Sequence, residues 1–187
     1  MEKKSLIDSA IEVAAKAHGE QKRKGTDIPY IVHPFSVGIL LSQLNCSDEV
    51  IAAGILHDTL EDTAITLEFI RKNFGERVAS IVKGCSEVDK SLPWEERKNH
   101  TIEFLKTASM DVRLVICADK LHNIRTMAYD YNKIGDRVWE RFKRGKEKQE
   151  WYYRQLVESL KVESENESYL KLFKLLKDEV ESLFGTK

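Results

Sequence analysis

The chain contains few of the residues that interrupt helices or cross-link a fold. Three prolines and nine glycines are spread over 187 residues, which favours long helices. The three cysteines (Cys46, Cys85 and Cys117) are odd in number and form no C-x-x-C pair, which argues against a disulfide framework or a cysteine-rich zinc site. The sequence has no run of about 18 apolar residues and no apolar core of a secretory signal at its N-terminus. We therefore expect a cytoplasmic protein without a membrane partner.

An excess of charge of either sign is also missing. Lysine and arginine together number 30 against 31 for aspartate and glutamate, so the formal net charge is −1. Nucleic-acid-binding proteins usually carry a basic excess, and this balance disfavours nucleic acid as a partner. The composition, 42% hydrophobic and 33% charged, is that of an ordinary globular domain.

Apolar residues recur with the helical period along most of the chain, and no long period-two alternation is present. Ser5, Ser47 and Thr66 precede such segments as candidate N-caps, while Gly75 and Gly84 are candidate helix ends. Pro34 predicts a helix start and an extended or turn-like backbone at the preceding residue. The pattern predicts an all-α, compact multi-helix bundle of about ten helices, with one domain over residues 1–187. Two long helices at about 146–161 and 167–184 complete the bundle or form a homo-oligomer interface.

A cluster of polar residues follows the most apolar predicted helix. His57 and Asp58 end the run Ile51–Leu56, which we expect to be buried and to continue helically past them. Glu61 and Asp62 follow the pair by four residues each, a spacing that stacks side chains on the same helix face. No base lies among these acids, so the cluster indicates a bound cation or a protonated carboxyl. An ordinary acidic surface is the alternative.

Two further residues have the same character. Asp119 follows the apolar run Leu114–Ala118, and His33 precedes Pro34. Taken alone, Asp119 is consistent with the solvent-exposed face of an amphipathic helix, and His33 with a histidine that is packed against its neighbours and makes one hydrogen bond. Together with His57 and Asp58 they supply two imidazoles and two carboxylates. Such a mixed set suits a hydrolytic divalent ion such as Mn, Fe, Co, Ni or Zn.

The motifs around these residues resemble a known family. His33, His57-Asp58 and Asp119 match the H…HD…D signature of HD-domain phosphohydrolases. The flanking segments Arg23-Lys24, PYIVHP (29–34), HDTLEDT (57–63) and ADKLHNIRT (118–126) are similar to the hydrolase domain of RelA/SpoT proteins. The likeness covers residues 5–127 firmly and extends more weakly to about 160. The chain thus resembles the stand-alone small alarmone hydrolases.

The resemblance implies an all-α HD-domain bundle, a bound divalent metal (most often Mn²⁺), and removal of the 3′-pyrophosphate from guanosine tetra- or pentaphosphate. By position it implies three groups of site residues. These are the metal ligands His33, His57, Asp58 and Asp119; the catalytic pair Glu61 and Asp62; and the nucleotide-binding residues Arg23, Lys24, Asn123 and Thr126.

Several features leave alternatives open. The loop Gly25–Ile28 departs from the family pattern near the expected base, so another nucleotide phosphate remains a rival substrate and a non-catalytic nucleotide sensor a rival function. The basic stretch Arg137–Lys148 fits either a rim that contacts phosphates or a solvated helix face. The aromatic residues 151–153 are interpreted as packing or subunit contacts.

Overall fold

The computed structural model describes residues 4–87 and 89–186, so the two ends of the predicted domain, residues 1–3 and 187, lie outside the described residues. Within this part, nine α-helices and one 3₁₀-helix follow one another along the chain. Their bounds are α1 Leu6–His18, α2 Val32–Gln43, α3 Asp48–Leu56, α4 Thr59–Asp62, α5 Leu67–Cys85, α6 Trp94–Leu105, α7 Met110–Ile134, the 3₁₀-helix Gly135–Arg141, α8 Gly145–Leu160 and α9 Glu167–Phe184.

The all-α prediction is confirmed. The sole extended pairing among residues 4–87 and 89–186 is an isolated antiparallel bridge between Lys22 and Pro29. None of the helices in the described ranges is long and apolar enough to cross a membrane.

Local signals place several helix ends where the sequence predicts them. The hydroxyls of Ser5 and Thr66 accept hydrogen bonds from the backbone N–H groups of Asp8 and Phe69, at 3.0 and 3.2 Å. Ser47 lies at the N-cap of α3 but its side chain makes no capping bond. Gly75 interrupts α5 with φ 89° and ψ 168°, so the predicted break between two helical segments is confirmed.

Two local expectations are wrong. Helix α3 ends at Leu56 instead of continuing through Asp58, because side chains take over the last carbonyls: the His57 ring bonds Gly54 O at 2.8 Å and Thr59 Oγ1 donates to Leu56 O at 2.7 Å. His33 is not extended but lies in the first turn of α2. The pre-proline bias is overridden there because Pro34, in a first turn, forfeits no intrahelical bond.

Helices α3 and α7 form the centre of the bundle. Every residue from Val50 to Leu56 is buried, as are all residues of α7 from Val112 to Asp119. Helix α9 packs along α7 through Tyr169, Leu172 and Leu176, which are fully buried. Helix α9 is therefore part of the hydrophobic core.

Two glycines let α2 approach α3 closely. A Cβ on Gly38 would lie 2.5 Å from Ile55 Cγ1, and a Cβ on Gly54 would lie 2.4 Å from Leu41 Cδ1. Because α2 carries His33 and His57 directly follows α3, this close approach sets the separation of the two histidines.

We predict that Gly38→Ala lowers the free energy of unfolding by about 1 kcal/mol. Overpacking typically costs about 1–3 kcal/mol, and it is offset in part by the roughly 1 kcal/mol gain in helix propensity. Urea denaturation measures the change. Ser42→Ala, an exposed change in the same helix, is the control and is expected to be neutral or slightly stabilising. A Gly38→Ala variant as stable as Ser42→Ala would contradict the packing argument.

Candidate functional site

Four side chains from three parts of the fold converge between α2, α7 and the α3–α4 junction. His33 Nε2 lies 3.2 Å from Asp119 Oδ1 and 3.6 Å from Asp58 Oδ2. His57 Nε2 lies 3.0 Å from Asp58 Oδ2 and 3.8 Å from Asp119 Oδ1. The structure thus brings together the four residues that the sequence singles out as a mixed nitrogen and oxygen set.

The two carboxylates are largely buried and need compensation. The Asp58 and Asp119 side chains are 18% and 11% exposed. Tyr30 Oη donates to Asp58 Oδ2 at 2.7 Å, while Asp119 accepts from Asn123 Nδ2 at 2.5 Å and pairs with Lys120 Nζ at 2.7 Å. Burial opposes ionisation, but the neighbouring imidazoles, and for Asp119 the ammonium of Lys120, hold the pKa of both carboxyls below the usual range.

Hydrogen bonds to the outer ring nitrogens orient both imidazoles. His57 Nδ1 bonds Gly54 O at 2.8 Å, and His33 Nδ1 lies 2.7 Å from His122 Nδ1. Burial and the charges of His33 and Arg23 lower the pKa of His122 to about 4, which keeps its ring neutral and available as an acceptor. Each Nε2 is therefore left facing the centre of the cluster, an arrangement typical of metal-ligating histidines.

The donor set fits a divalent metal ion. Ligand atoms of His33, His57 and Asp58 all lie within 4.8 Å of one another. His57 Nε2 is buried and lies 3.0 Å from Asp58 Oδ2 without forming a well-aligned hydrogen bond. This nitrogen is therefore available as a metal ligand. Imidazole nitrogen with carboxylate oxygen is a common combination for Mn, Fe, Co, Ni and Zn.

Glu61 and Asp62 line the same cavity as His33, Asp58 and Asp119, whose volume is about 240 Å³. No base lies among these acids in the sequence, but the fold brings one to them. Lys90 Nζ lies 2.6 Å from Asp62 Oδ1 and 3.3 Å from Glu61 Oε1. The base comes from the loop before α6, 28 residues further along the chain than Asp62, so no local pattern could reveal it.

A second cavity of about 430 Å³ adjoins the first. The two share six lining residues, so they form one cleft with a polar end and a largely apolar end. The shared residues are Arg23, Tyr30, Lys98, Lys120, Asn123 and Tyr152.

The four predicted nucleotide-binding residues line the larger cavity. Arg23 Nη2 donates to Asn123 Oδ1 at 2.7 Å, and Thr126 Oγ1 donates to His122 O at 2.9 Å. The Lys24 ammonium lies 5.7 Å from the centre of the Phe142 ring. The structure therefore brings these side chains to one wall of the cleft.

Sequence reasoning missed several cleft residues. Tyr30, Lys120 and His122 lie inside the sequence motifs that resemble the family, but the sequence analysis gave these three residues no role at the site. Lys98, Tyr152 and Tyr153 come from α6 and α8, and the two tyrosines line the cleft as well as packing in the core. Within the basic stretch, Arg141 lines the cavity and pairs with Asp130, whereas Arg144 pairs with Glu95 outside the cavity.

Comparison with known proteins assigns the family. The family model for the HD domain matches residues 10–143. The chain belongs to the HD domain family. This HD domain is also 40% identical over 138 residues to the zebrafish (Danio rerio) protein named guanosine-3′,5′-bis(diphosphate) 3′-pyrophosphohydrolase MESH1, covering 72% of this chain and 74% of that protein.

Two further similarities concern a long relative and a solved structure. A guanosine-3′,5′-bis(diphosphate) 3′-pyrophosphohydrolase of Aquifex aeolicus is 44% identical over 124 residues, which are 65% of this chain and 18% of that protein. The solved structure of a metazoan ortholog of SpoT, described as hydrolysing ppGpp, superposes with a TM-score of 0.75 at 28% identity, covering 95% of this chain and 97% of that one. The likeness to RelA/SpoT proteins is confirmed, and this HD domain spans less than a fifth of the Aquifex relative's length.

The protonation of His57 predicts a pH-dependent metal affinity. Burial disfavours the imidazolium, but Asp58 and Asp119 outweigh it and raise the pKa of His57 in the metal-free protein to about 9. A metal ion must displace this proton, so affinity for Mn²⁺ should rise about tenfold per pH unit from pH 6.5 to 8 and level off near 9. Calorimetric titration should detect about one proton released per ion.

The control for this titration is a histidine outside the cleft. His57→Gln should lose both the binding and the proton release, whereas His100→Gln, on the exposed face of α6, should behave as wild type. Affinity that is flat between pH 6.5 and 8 would show that His57 does not compete with the metal for a proton.

Proposed function

We propose that this HD domain is a metal-dependent phosphohydrolase that removes the 3′-pyrophosphate from guanosine tetra- or pentaphosphate (ppGpp or pppGpp) in the cytoplasm. The observation that carries the proposal is a buried His-Asp cluster at one end of a cleft whose other end is apolar and aromatic. A purine nucleotide has matching ends, since its charged phosphates suit the polar end of the cleft and its flat aromatic base suits the apolar end. The names of the Danio and Aquifex relatives support this substrate.

In this proposal His33, His57, Asp58 and Asp119 hold one divalent ion, with Mn²⁺ the expected metal. When bound, such an ion supplies Lewis-acid polarisation of a phosphoryl oxygen and lowers the pKa of water. Asn123 and Lys120 fix the carboxylate of Asp119, and Tyr30 fixes that of Asp58. The ligand geometry is therefore prepared before substrate arrives, which limits reorganisation during the reaction.

Cationic side chains at the junction of the two cavities suit the phosphates. Arg23, Lys98 and Lys120 line both cavities, between the acidic cluster and the apolar end. Burial lowers the pKa of Lys120, but Asp119 outweighs it and holds that pKa well above the usual value, so this ammonium stays charged although its side chain is only 20% exposed. We assign these three cations to the phosphates, and Lys24, Asn123 and Thr126 to the nucleoside.

Glu61 and Asp62 are assigned to proton transfer and to the orientation of the attacking water. Hydrolysis adds water across the bond between phosphorus and the 3′-oxygen: the hydroxyl goes to phosphorus, and the remaining proton must reach the leaving 3′-oxygen. A carboxyl in the same cavity can carry that proton. Lys90 and the backbone N–H of Glu87, which donates to Glu61 Oε2 at 3.1 Å, hold the pair in place.

We predict Mn²⁺-dependent release of pyrophosphate from ppGpp by the purified protein. Asp119→Ala should lose the metal and reduce turnover to background, because a ligand and the partner of Lys120 disappear together. Asp111→Asn, in the first turn of the same helix and paired with Arg77 outside the cleft, is the matched control and should retain both. Full turnover by Asp119→Ala, or none by the Mn²⁺-loaded wild type, would refute the proposal.

We further predict that Glu61→Gln and Asp62→Asn each lower kcat by at least about tenfold, since general acid–base groups contribute typically 10²–10⁴-fold. Metal content, measured by elemental analysis, should stay near that of wild type because neither side chain is assigned as a ligand. Glu103→Gln, an exposed change on α6, is the control. Loss of metal in either variant would make that residue a ligand, and unchanged kcat in both would show that the acidic pair takes no part in proton transfer.

A further inference from the structure

Gln149, on α8, is a buried amide facing the cleft. The residue is 8% exposed and lines the larger cavity. A primary amide offers two donor hydrogens and an acceptor oxygen, yet the Gln149 side chain makes no hydrogen bond within residues 4–87 and 89–186. Neither atom of the amide is among the buried polar atoms of these residues that lack a partner, so the amide meets the open space of the cavity and is available to a molecule that occupies it.

Other short polar side chains of this cavity already have protein partners. Asn123 is bonded to Arg23 and Asp119, and Thr126 is bonded to a backbone carbonyl. Asp130 forms an ion pair with Arg141. Among these groups, Gln149 alone keeps its full hydrogen-bonding capacity for a molecule in the cleft.

The position of Gln149 points to the base of that molecule. It lines the larger cavity and is absent from the lining of the cavity that holds the His-Asp cluster. Phe142, Tyr152 and Tyr153 line the same larger cavity and offer apolar faces to a flat ring. Phosphates held near Lys98 and Lys120 would leave the base at this end.

We propose that the Gln149 amide hydrogen-bonds the edge of the purine and thereby contributes to the affinity for the nucleotide. This inference rests on the proposed function in that a nucleotide occupies the cleft. Guanine presents the O6 acceptor beside the N1–H donor. The amide matches both when Nε2 donates to O6 and Oε1 accepts from N1–H. Turned by 180°, the same amide matches adenine, with Nε2 donating to N1 and Oε1 accepting from N6–H₂.

The test compares the 3′,5′-bis(diphosphates) of guanosine and adenosine as substrates of the Mn²⁺-loaded enzyme. Gln149→Met, similar in length but without the amide, should raise KM for the guanosine nucleotide about tenfold or more and leave kcat within about twofold. KM for the adenosine nucleotide should rise by a similar factor, because the amide can turn to pair with N1 and N6–H₂ of adenine. Gln155→Met, exposed on the same helix, is the control and should change neither value.

Two further measurements separate recognition from a structural role. Because the Gln149 amide has no protein partner, Gln149→Met should melt at the same temperature as wild type or higher, whereas loss of a structural group would lower it. Gln149→Glu keeps an acceptor for N1–H and N2–H₂ of guanine but faces the N1 acceptor of adenine. This variant should therefore disfavour the adenosine nucleotide more than the guanosine nucleotide.

Unchanged KM values in active Gln149→Met, or a rise in KM that comes with a lowered melting temperature, would overturn the inference. Failure of wild type to hydrolyse either nucleotide would refute the proposed function instead. In that case the Kd of guanosine monophosphate for wild type and Gln149→Met decides the role of Gln149. Weaker binding by the variant supports it, and equal or absent binding to both proteins overturns it.

Discussion

Two ionised carboxylates inside a helical bundle are the constraint on which the rest of the structure depends. Asp58 and Asp119 come within 4 Å of two buried imidazoles, at a place where helices from distant parts of the sequence meet. Such charges are tolerated inside a protein only when partners surround them. Lys120, Tyr30 and the histidines provide these partners, and most of them also form walls of the cleft. The site and the core are therefore one electrostatic unit.

Contacts outside the His-Asp cluster also support this unit. At the end of α1, His18 Nδ1 lies 2.8 Å from Gln21 Oε1, and Gln21 Nε2 donates to the backbone carbonyl of Asp62 at 2.7 Å. On the other side, Glu87 pairs with Lys98 and Arg97, linking the loop before α6 to the cleft. The acidic pair is thereby held from two directions. Such outer contacts keep functional groups within the small tolerance that chemistry requires.

The sequence predicted most of the fold and the centre of the site because those signals are local. Ser5 and Thr66 predict helix starts because their hydroxyls accept hydrogen bonds from backbone N–H groups three residues further along the chain. His57 and Asp58 are recognisable because they directly follow an apolar run. Lys90, Lys98 and Gln149 could not be predicted in the same way, because their places in the cleft depend on how whole helices pack. The four-residue spacing from His57 to Glu61 predicted that both residues lie on one continuous helix, and this was wrong. Helix α3 ends at Leu56, where the His57 ring, in place of a backbone N–H, bonds the carbonyl of Gly54.

Helix α7 carries both halves of the cleft on one face. Asp119, Asn123 and Thr126 are spaced four and three residues apart, so they project from the same side, while the run before Asp119 is buried in the core. Each residue of an α-helix advances the side-chain direction by about 100°. Adding or deleting a single residue between the core run and Asp119 would rotate the metal end and the nucleotide end away together. An insertion or deletion of one residue is therefore expected to be tolerated in a connecting loop but not in this part of α7, because the register of the helix keeps the two ends of the cleft aligned.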